Sequence, residues 1–368
     1  MKLIIKAILS LILTLSLALF SAPSDIKAAT VQKDASAEVE CAIVKDEEVK
    51  ISSRLAELFF GKNEPKKDTL LLIPGGSIFG AKIKQSYVSV QNPGEVSELK
   101  AGDKILSING ERVSSAQDVK NAVKKHIGKD MDLTVERDGK EISIRITPKQ
   151  TKGEYKIGLV LREGAAGIGT ITYIDPATGE FGGLGHGICD SDTGEVITFT
   201  EGQVTGVILS GVKKGEEGKP GELSGLLTDK ISGVLYSNTE CGVFGKLDKI
   251  PDGVAPIEIA RRDEVHNGAA TLLSTVKSGG EKEFQIEIFD VNKSSTGTKS
   301  FRIKVTDPTL IAITGGVVRG MSGSPIIQDG KLVGAVTHVM VANPTEGYGI
   351  FIENMLSAAQ GQAQPKAA

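Results

Sequence analysis

The run Arg319-Gly320-Met321-Ser322-Gly323-Ser324-Pro325 places a serine between glycines, ahead of an apolar stretch from Lys331 to His338. A serine hydroxyl attacks a carbonyl only when a base takes its proton and N–H groups receive the charge that develops on oxygen. Glycine has no Cβ, so a chain flanked by glycines can turn tightly and let another chain approach. A bare Gly-x-Ser-Gly is more often a plain loop between strands. The Ser-Pro, the apolar strand and the polar Asp329-Gly330 turn make this run more specific.

The base must be a histidine, and four exist: His126, His186, His266 and His338. His126 falls in a helical pattern, and His266 in a polar turn with Arg262, Asp263 and Glu264. His186 sits between Gly185 and Gly187 and precedes Ser322 by 136 positions (322 − 186), so a loop can present it from a separate half of the chain. A base also needs a carboxylate to orient it. Asp307 ends a strand 15 positions before Ser322, in the order His, Asp, Ser, yet an Asp-Pro turn explains it equally well. Asp190 and Asp192 lie on the His186 loop and are the other candidates.

These residues need a rigid frame. The chain has 368 residues, 44 glycines, no Trp and a net charge of −3. That balance gives no footing for nucleic acid. From Ile157 onward, short apolar runs alternate with glycine turns, which predicts β-barrels. Cys41, Cys189 and Cys241 are too few for a disulfide framework, although Cys189 and Cys241 could pair. His186 and Cys189 are only two ligands, so no metal site is expected.

Residues 1–29 have a basic start and an apolar run, as in a signal peptide or a membrane anchor. Residues 30–69 read as a linker open to clipping. Residues 357–368 are low in complexity and predict a disordered tail. Between linker and barrels, an apolar strand leads into Gly76-Ser77-Ile78-Phe79-Gly80. Then follow Lys100-Ala101-Gly102-Asp103-Lys104-Ile105-Leu106-Ser107-Ile108-Asn109-Gly110, a helix capped at Ser115, and two strands joined at Asp138-Gly139.

That segment, residues 70–150, resembles a PDZ domain. The resemblance implies an α/β unit in which the N–H groups of Ile78, Phe79 and Gly80 capture a peptide carboxylate while the peptide adds a strand. The serine run resembles the Gly-Asp-Ser-Gly-Gly-Pro loop of trypsin-like peptidases. This implies a mainly β chain: a trypsin-like double β-barrel serine peptidase domain (151–356) preceded by an α/β PDZ domain. By the same analogy, Gly320 and Ser322 supply the oxyanion N–H groups, and His338 lies on a strand lining the substrate pocket.

Taken together, the upstream PDZ unit, Leu184-Gly185-His186-Gly187-Ile188, Gly320-Met321-Ser322-Gly323-Ser324-Pro325-Ile326, Gly334-Ala335-Val336-Thr337-His338-Val339 and Gly347-Tyr348-Gly349-Ile350-Phe351 resemble the stage IV sporulation protein B peptidase family. The resemblance implies catalytic His186, Asp307 and Ser322 with no cofactor. It also implies export from a forespore into the space between its two membranes, self-cleavage, and cutting of a membrane-bound inhibitor of an intramembrane protease that activates a late sigma factor. Quality-control peptidases place the PDZ after the peptidase, which argues against that alternative. A non-catalytic PDZ scaffold is the other.

Overall fold

The computed structural model describes residues 70–360. The expected export segment, the linker and the end of the tail lie outside them. In chain order the elements are β1 (Leu71–Pro74), β2 (Ile78–Asn92), β3 (Lys104–Ile108), β4 (Glu111–Arg112), α1 (Ala116–Lys125), β5 (Met131–Arg137) and β6 (Lys140–Ile146). Next come β7 (Lys149–Thr151), β8 (Glu154–Lys156), β9 (Val160–Ile174), β10 (Glu180–Gly183), β11 (Phe199–Lys213), β12 (Glu222–Thr239) and β13 (Gly242–Leu247). The remainder is β14 (Ile257–Glu258), β15 (Gly268–Ser274), β16 (Lys282–Phe289), β17 (Phe301–Val305), α2 (Pro308–Thr314), β18 (Pro325–Gln328), β19 (Lys331–Val339), β20 (Glu346–Phe351) and α3 (Ile352–Gln360).

Two antiparallel barrels carry the peptidase. In the first, β9 pairs β10, β10 pairs β13, β13 pairs β12, β12 pairs β11, β11 pairs β2, and β2 returns to β9. The second closes through β15, β16, β17, β20, β19 and β18. Inward side chains are aliphatic with a few Phe, including Phe79, Ala81, Ile83 and Phe181 in the first barrel and Leu272, Ile288, Phe301 and Phe351 in the second. With no Trp available, branched aliphatics that fit a pleated surface fill most of these positions.

The PDZ unit is stitched into the first barrel. β2 and β9 are each 15 residues long and serve both bodies. Their barrel halves pair Ile78↔Thr170 through Lys84↔Gly164, and their outer halves pair Ser89↔Arg162, Val90↔Leu161 and Asn92↔Val160. Val88, Val90, Ile105, Leu133, Val135 and Ile144 form a separate core beneath α1, with Ile157, Leu159 and Leu161 packed on it. The unit is therefore an insertion between two barrel strands. Residues 70–85, expected in the PDZ, build the barrel, and residues 155–161, expected in the peptidase domain, pack on the PDZ side.

Local signals behave as the sequence implies. Ser115 caps α1 in a reciprocal capping box with Asp118. Asn109-Gly110 and Asp138-Gly139 take the left-handed conformations that tight hairpins need. The buried carboxylate of Asp103 receives the Lys100 N–H and a two-pronged bond from Arg137, which explains the acidic residue in the Ala-Gly-Asp turn. The helical tail α3 corrects the expectation of disorder for residues 357–360: Met355 is buried against Leu332 and Ile350. No helix among the described residues is long and apolar enough to cross a membrane.

Candidate active site

Ser322 and His186 arrive from different barrels and line one cleft of about 350 Å³, together with Gly320, Thr337, His338 and Arg319. His186 follows β10, the strand that ends in Gly182-Gly183. The loop behind it is fixed by Asn238, whose side chain receives the Ile188 N–H and donates to the Ile188 and Ile197 carbonyls at 2.8–2.9 Å. His186 Nδ1 lies 2.9 Å from the Gly187 carbonyl oxygen. A carbonyl only accepts, so the neutral ring carries its proton on Nδ1 and keeps Nε2 as the free base. Burial pushes the His186 pKa below the ordinary histidine range, partly countered by that Gly187 bond. The ring is thus neutral, as a general base must be.

The oxyanion groups are set by peptide geometry. In a trans peptide the C=O and the following N–H point opposite ways. Leu223 N–H holds the Arg319 carbonyl at 2.8 Å, which turns the Gly320 N–H the other way. Ser324 N–H holds the Met321 carbonyl at 2.9 Å, which does the same for the Ser322 N–H. Among the described residues, neither the Gly320 nor the Ser322 N–H has a protein acceptor. Gly320 has φ +95, and a Cβ there would meet the Leu223 side chain at 3.0 Å, so the turn favours glycine. Ser322 Oγ donates to the Thr337 carbonyl at 2.8 Å and must rotate to reach His186.

His338 stands on β19, its ring centroid 5.2 Å from that of His186. Its pKa is pushed down to about 4, first by burial and then by His186 and Lys299, so it is neutral as well. His338 is part of the cleft wall.

Asp307 is not brought to this cleft. It is the N-cap of α2, and its carboxylate accepts from the backbone N–H groups of Thr309 at 2.7 Å and Leu310 at 3.0 Å. The expected Asp307–His186 hydrogen bond is absent among the described contacts, and no carboxylate contributes to the His186 shift. The reason is local: Asp before Pro308, with Gly315 left-handed at the far end, is a complete set of helix-end signals. Asp190 is also taken, since Arg162 reaches both Asp190 at 3.3 Å and Asp192 at 3.1 Å. Among the described residues, the Gly187 carbonyl alone holds the His186 Nδ1 proton.

The assignment of Ile78, Phe79 and Gly80 as a carboxylate-capturing loop is corrected. Their backbones pair with Thr170, Gly169 and Ile168 of β9, Gly80 also with Thr205 of β11, and the Phe79 ring is buried in the barrel core. These backbones are part of the barrel sheet and do not form an open loop that could receive a peptide carboxylate. One open edge of the PDZ sheet among the described residues is the outer half of β9 with its lead-in, residues 157–163, which pairs β2 on one side only and runs beside α1, where Glu163 accepts from the Ala116 N–H at 2.6 Å. Gly158 there has φ +75. Its only sequence signal was the Ile-Gly-Leu run, which reads equally as the start of a barrel. Of the remaining histidines, His126 closes α1 and His266 pairs with Asp329 at the surface. Cys189 and Cys241 are free thiols.

Two six-stranded barrels, a serine and a neutral histidine facing each other across their cleft, two free N–H groups at the serine turn and an inserted PDZ domain define a trypsin-like serine endopeptidase. Residues 153–356, more than half of the chain, match the family described as SpoIVB peptidase S55, and residues 62–147 match the PDZ domain family. The chain belongs to the SpoIVB peptidase family. It is also similar to the regulator of sigma-W protease RasP of Bacillus subtilis, 48% identical over 58 residues, 16% of this chain and 14% of that protein. The serine protease HTRA1 of Xenopus tropicalis is 36% identical over 97 residues, 26% of this chain and 20% of that one. Among solved structures, the active form of the Rv3671c protease of M. tuberculosis aligns with a TM-score of 0.33 and 14% identity, covering 55% of this chain and 78% of that chain. The chain spans about a seventh of RasP and a fifth of HTRA1.

Proposed function

We propose that this chain is a sporulation signalling endopeptidase. Ser322 is the nucleophile, His186 Nε2 takes its proton, and the Gly320 and Ser322 N–H groups receive the oxyanion. The single observation carrying the catalytic assignment is that Ser322, a neutral His186 and those two unpaired N–H groups converge on one cleft. Its substrates are its own N-terminal segment and the extracytoplasmic part of a membrane-bound inhibitor of an intramembrane protease, whose release activates a late sigma factor. The protein acts after export, in the space between the forespore membranes, with the N-terminal segment as signal or anchor.

A narrow substrate list is supported by the way the PDZ domain grips the base loop. Lys104 of β3 bonds Glu195 at 2.8 Å, Arg162 of β9 bonds Asp190 and Asp192, and Gly102 abuts Thr193. A peptide that adds to the PDZ edge therefore acts on the loop that carries His186. The test is incubation of purified full-length protein and Ser322→Ala with a fluorophosphonate probe, followed by mass spectrometry of the self-cleaved products. Wild type should label once and trim itself, whereas Ser322→Ala should do neither while remaining folded. Undiminished trimming by the variant would exclude Ser322 as nucleophile.

A further inference from the structure

We propose that Thr170 is a positioning residue that holds the oxyanion hole in register with the catalytic base. It lies in β9, 150 or more positions from the serine turn, and is fully buried. Three of its groups reach the catalytic loops. Its Oγ1 donates to the Gly320 carbonyl at 2.9 Å. Its N–H donates to the Ser322 carbonyl at 2.9 Å, and its carbonyl accepts the Leu184 N–H at 3.1 Å, two positions before His186. No other described residue bonds both the nucleophile turn and the base loop in this way.

The physical consequence concerns Gly320. Its preceding peptide is held by Leu223 N–H on the Arg319 carbonyl, and its following peptide by the Thr170 hydroxyl. With φ +95 and no Cβ, this residue has more than one accessible backbone basin. Anchoring both flanking peptides selects the basin in which the Gly320 N–H faces the cleft. The two backbone bonds survive any side-chain change, so the hydroxyl is the separable part of the device. Thr172 supplies an internal comparison. Its Oγ1 donates to the Gly323 carbonyl at 2.8 Å and is equally buried, but that peptide presents no oxyanion donor.

The inference rests on Ser322 being the nucleophile. Its test is the saturation kinetics of fluorophosphonate inactivation, in full-length Thr170→Val, Thr170→Ser and Thr172→Val proteins, with thermal midpoints measured alongside. Loss of a whole oxyanion donor costs about 10²–10³ in rate, so a loosened donor should cost about tenfold. Thr170→Val is expected to lower the inactivation rate constant about tenfold with the probe affinity unchanged. Thr170→Ser, which keeps the hydroxyl, should stay within about threefold. Thr172→Val should lose comparable thermal stability yet keep most of the rate. Should Thr170→Val not fold, Thr170→Cys, a weak donor of similar volume to Ser, should fall below Thr170→Ser. Equal rates for Thr170→Val (or Thr170→Cys) and Thr170→Ser, or an equal loss in Thr172→Val, would overturn the proposal. Residual labelling of Ser322→Ala would instead overturn the catalytic assignment on which it stands.

Discussion

Substituting Asp307 by Asn separates its two candidate roles by orders of magnitude. As an N-cap, the side chain needs an acceptor oxygen for the Thr309 and Leu310 N–H groups. Asn provides one, and Asn and Asp rank together as caps. What is lost is the attraction between carboxylate and helix dipole, about 0.3–1 kcal/mol at an exposed site, together with the long 3.4 Å bond that the second oxygen accepts from the Gln285 N–H. Asp307→Ala removes the acceptor and should cost about 0.5–2 kcal/mol. As the orienting carboxylate of a Ser-His-Asp set, by contrast, Asp→Asn leaves the base in the wrong tautomer and lowers the rate by about 10⁴. The assay is fluorophosphonate labelling rate beside urea unfolding for wild type, Asp307→Asn and Asp307→Ala. A cap predicts near wild-type labelling for Asn and a modest stability loss for Ala. A collapse of labelling in Asp307→Asn at unchanged stability would refute the cap as the whole role, and would mean that α2 moves toward His186 during catalysis. Acid titration adds a sign. Burial raises the Asp307 pKa, but the N–H bonds from Leu310, Gln285 and Thr309 outweigh it and hold it below the ordinary value. Its contribution to stability is therefore present above the unfolded-state pKa and fades as pH falls through the folded one. Asp307→Asn should remove that acid-limb dependence.

Other outcomes follow from the same geometry. Because burial lowers the His186 pKa, the pH profile of labelling should lose its rate on acidification at a midpoint below about 6.5; a midpoint above 7 would contradict a buried neutral base. His338, pushed down to about 4 when folded, binds fewer protons than the unfolded chain between about pH 4 and 6.5, so folding stability should drop as pH is lowered through that window, and the slope should flatten in His338→Gln. Phe79→Ala should cost about 3–5 kcal/mol in urea unfolding, since the ring is barrel core; a stable variant with weakened peptide binding would restore it to a PDZ loop. Arg162→Met should lower stability by about 1–3 kcal/mol by leaving the buried Asp190 carboxylate short of a partner, and should alter self-cleavage through the base loop.

Much of this protein is written in short stretches of sequence. The Gly-Met-Ser-Gly turn, the Gly-His-Gly loop, the capped helix at Ser115 and the two hairpin turns are local, because glycine conformations, caps and turn residues act within a few positions. The strand texture after Ile157 announced barrels for the same reason: alternation is read one strand at a time. Partnership between strands is not local. Residues 76–80 look like a loop feeding a PDZ sheet, yet β2 runs on through both bodies, and only the pairing Gly80↔Ile168 and Gly80↔Thr205 reveals where they belong. The carboxylate question was open in the sequence for a comparable reason. Asp307-Pro308 satisfies a helix end and the order His, Asp, Ser alike, and the distinction lies in which N–H groups surround the oxygen atoms. Thr170 carries no motif at all, since its three catalytic contacts are set by the docking of β9 against loops far along the chain. Thus the sequence by itself determined the chemistry available, a serine in a tight turn and a histidine between glycines. The tertiary structure decided which strands share a barrel, which carboxylate is spent on a helix end, and which buried threonine ties the serine turn to the base. These depend on hydrogen bonds between segments whose separation no local pattern encodes.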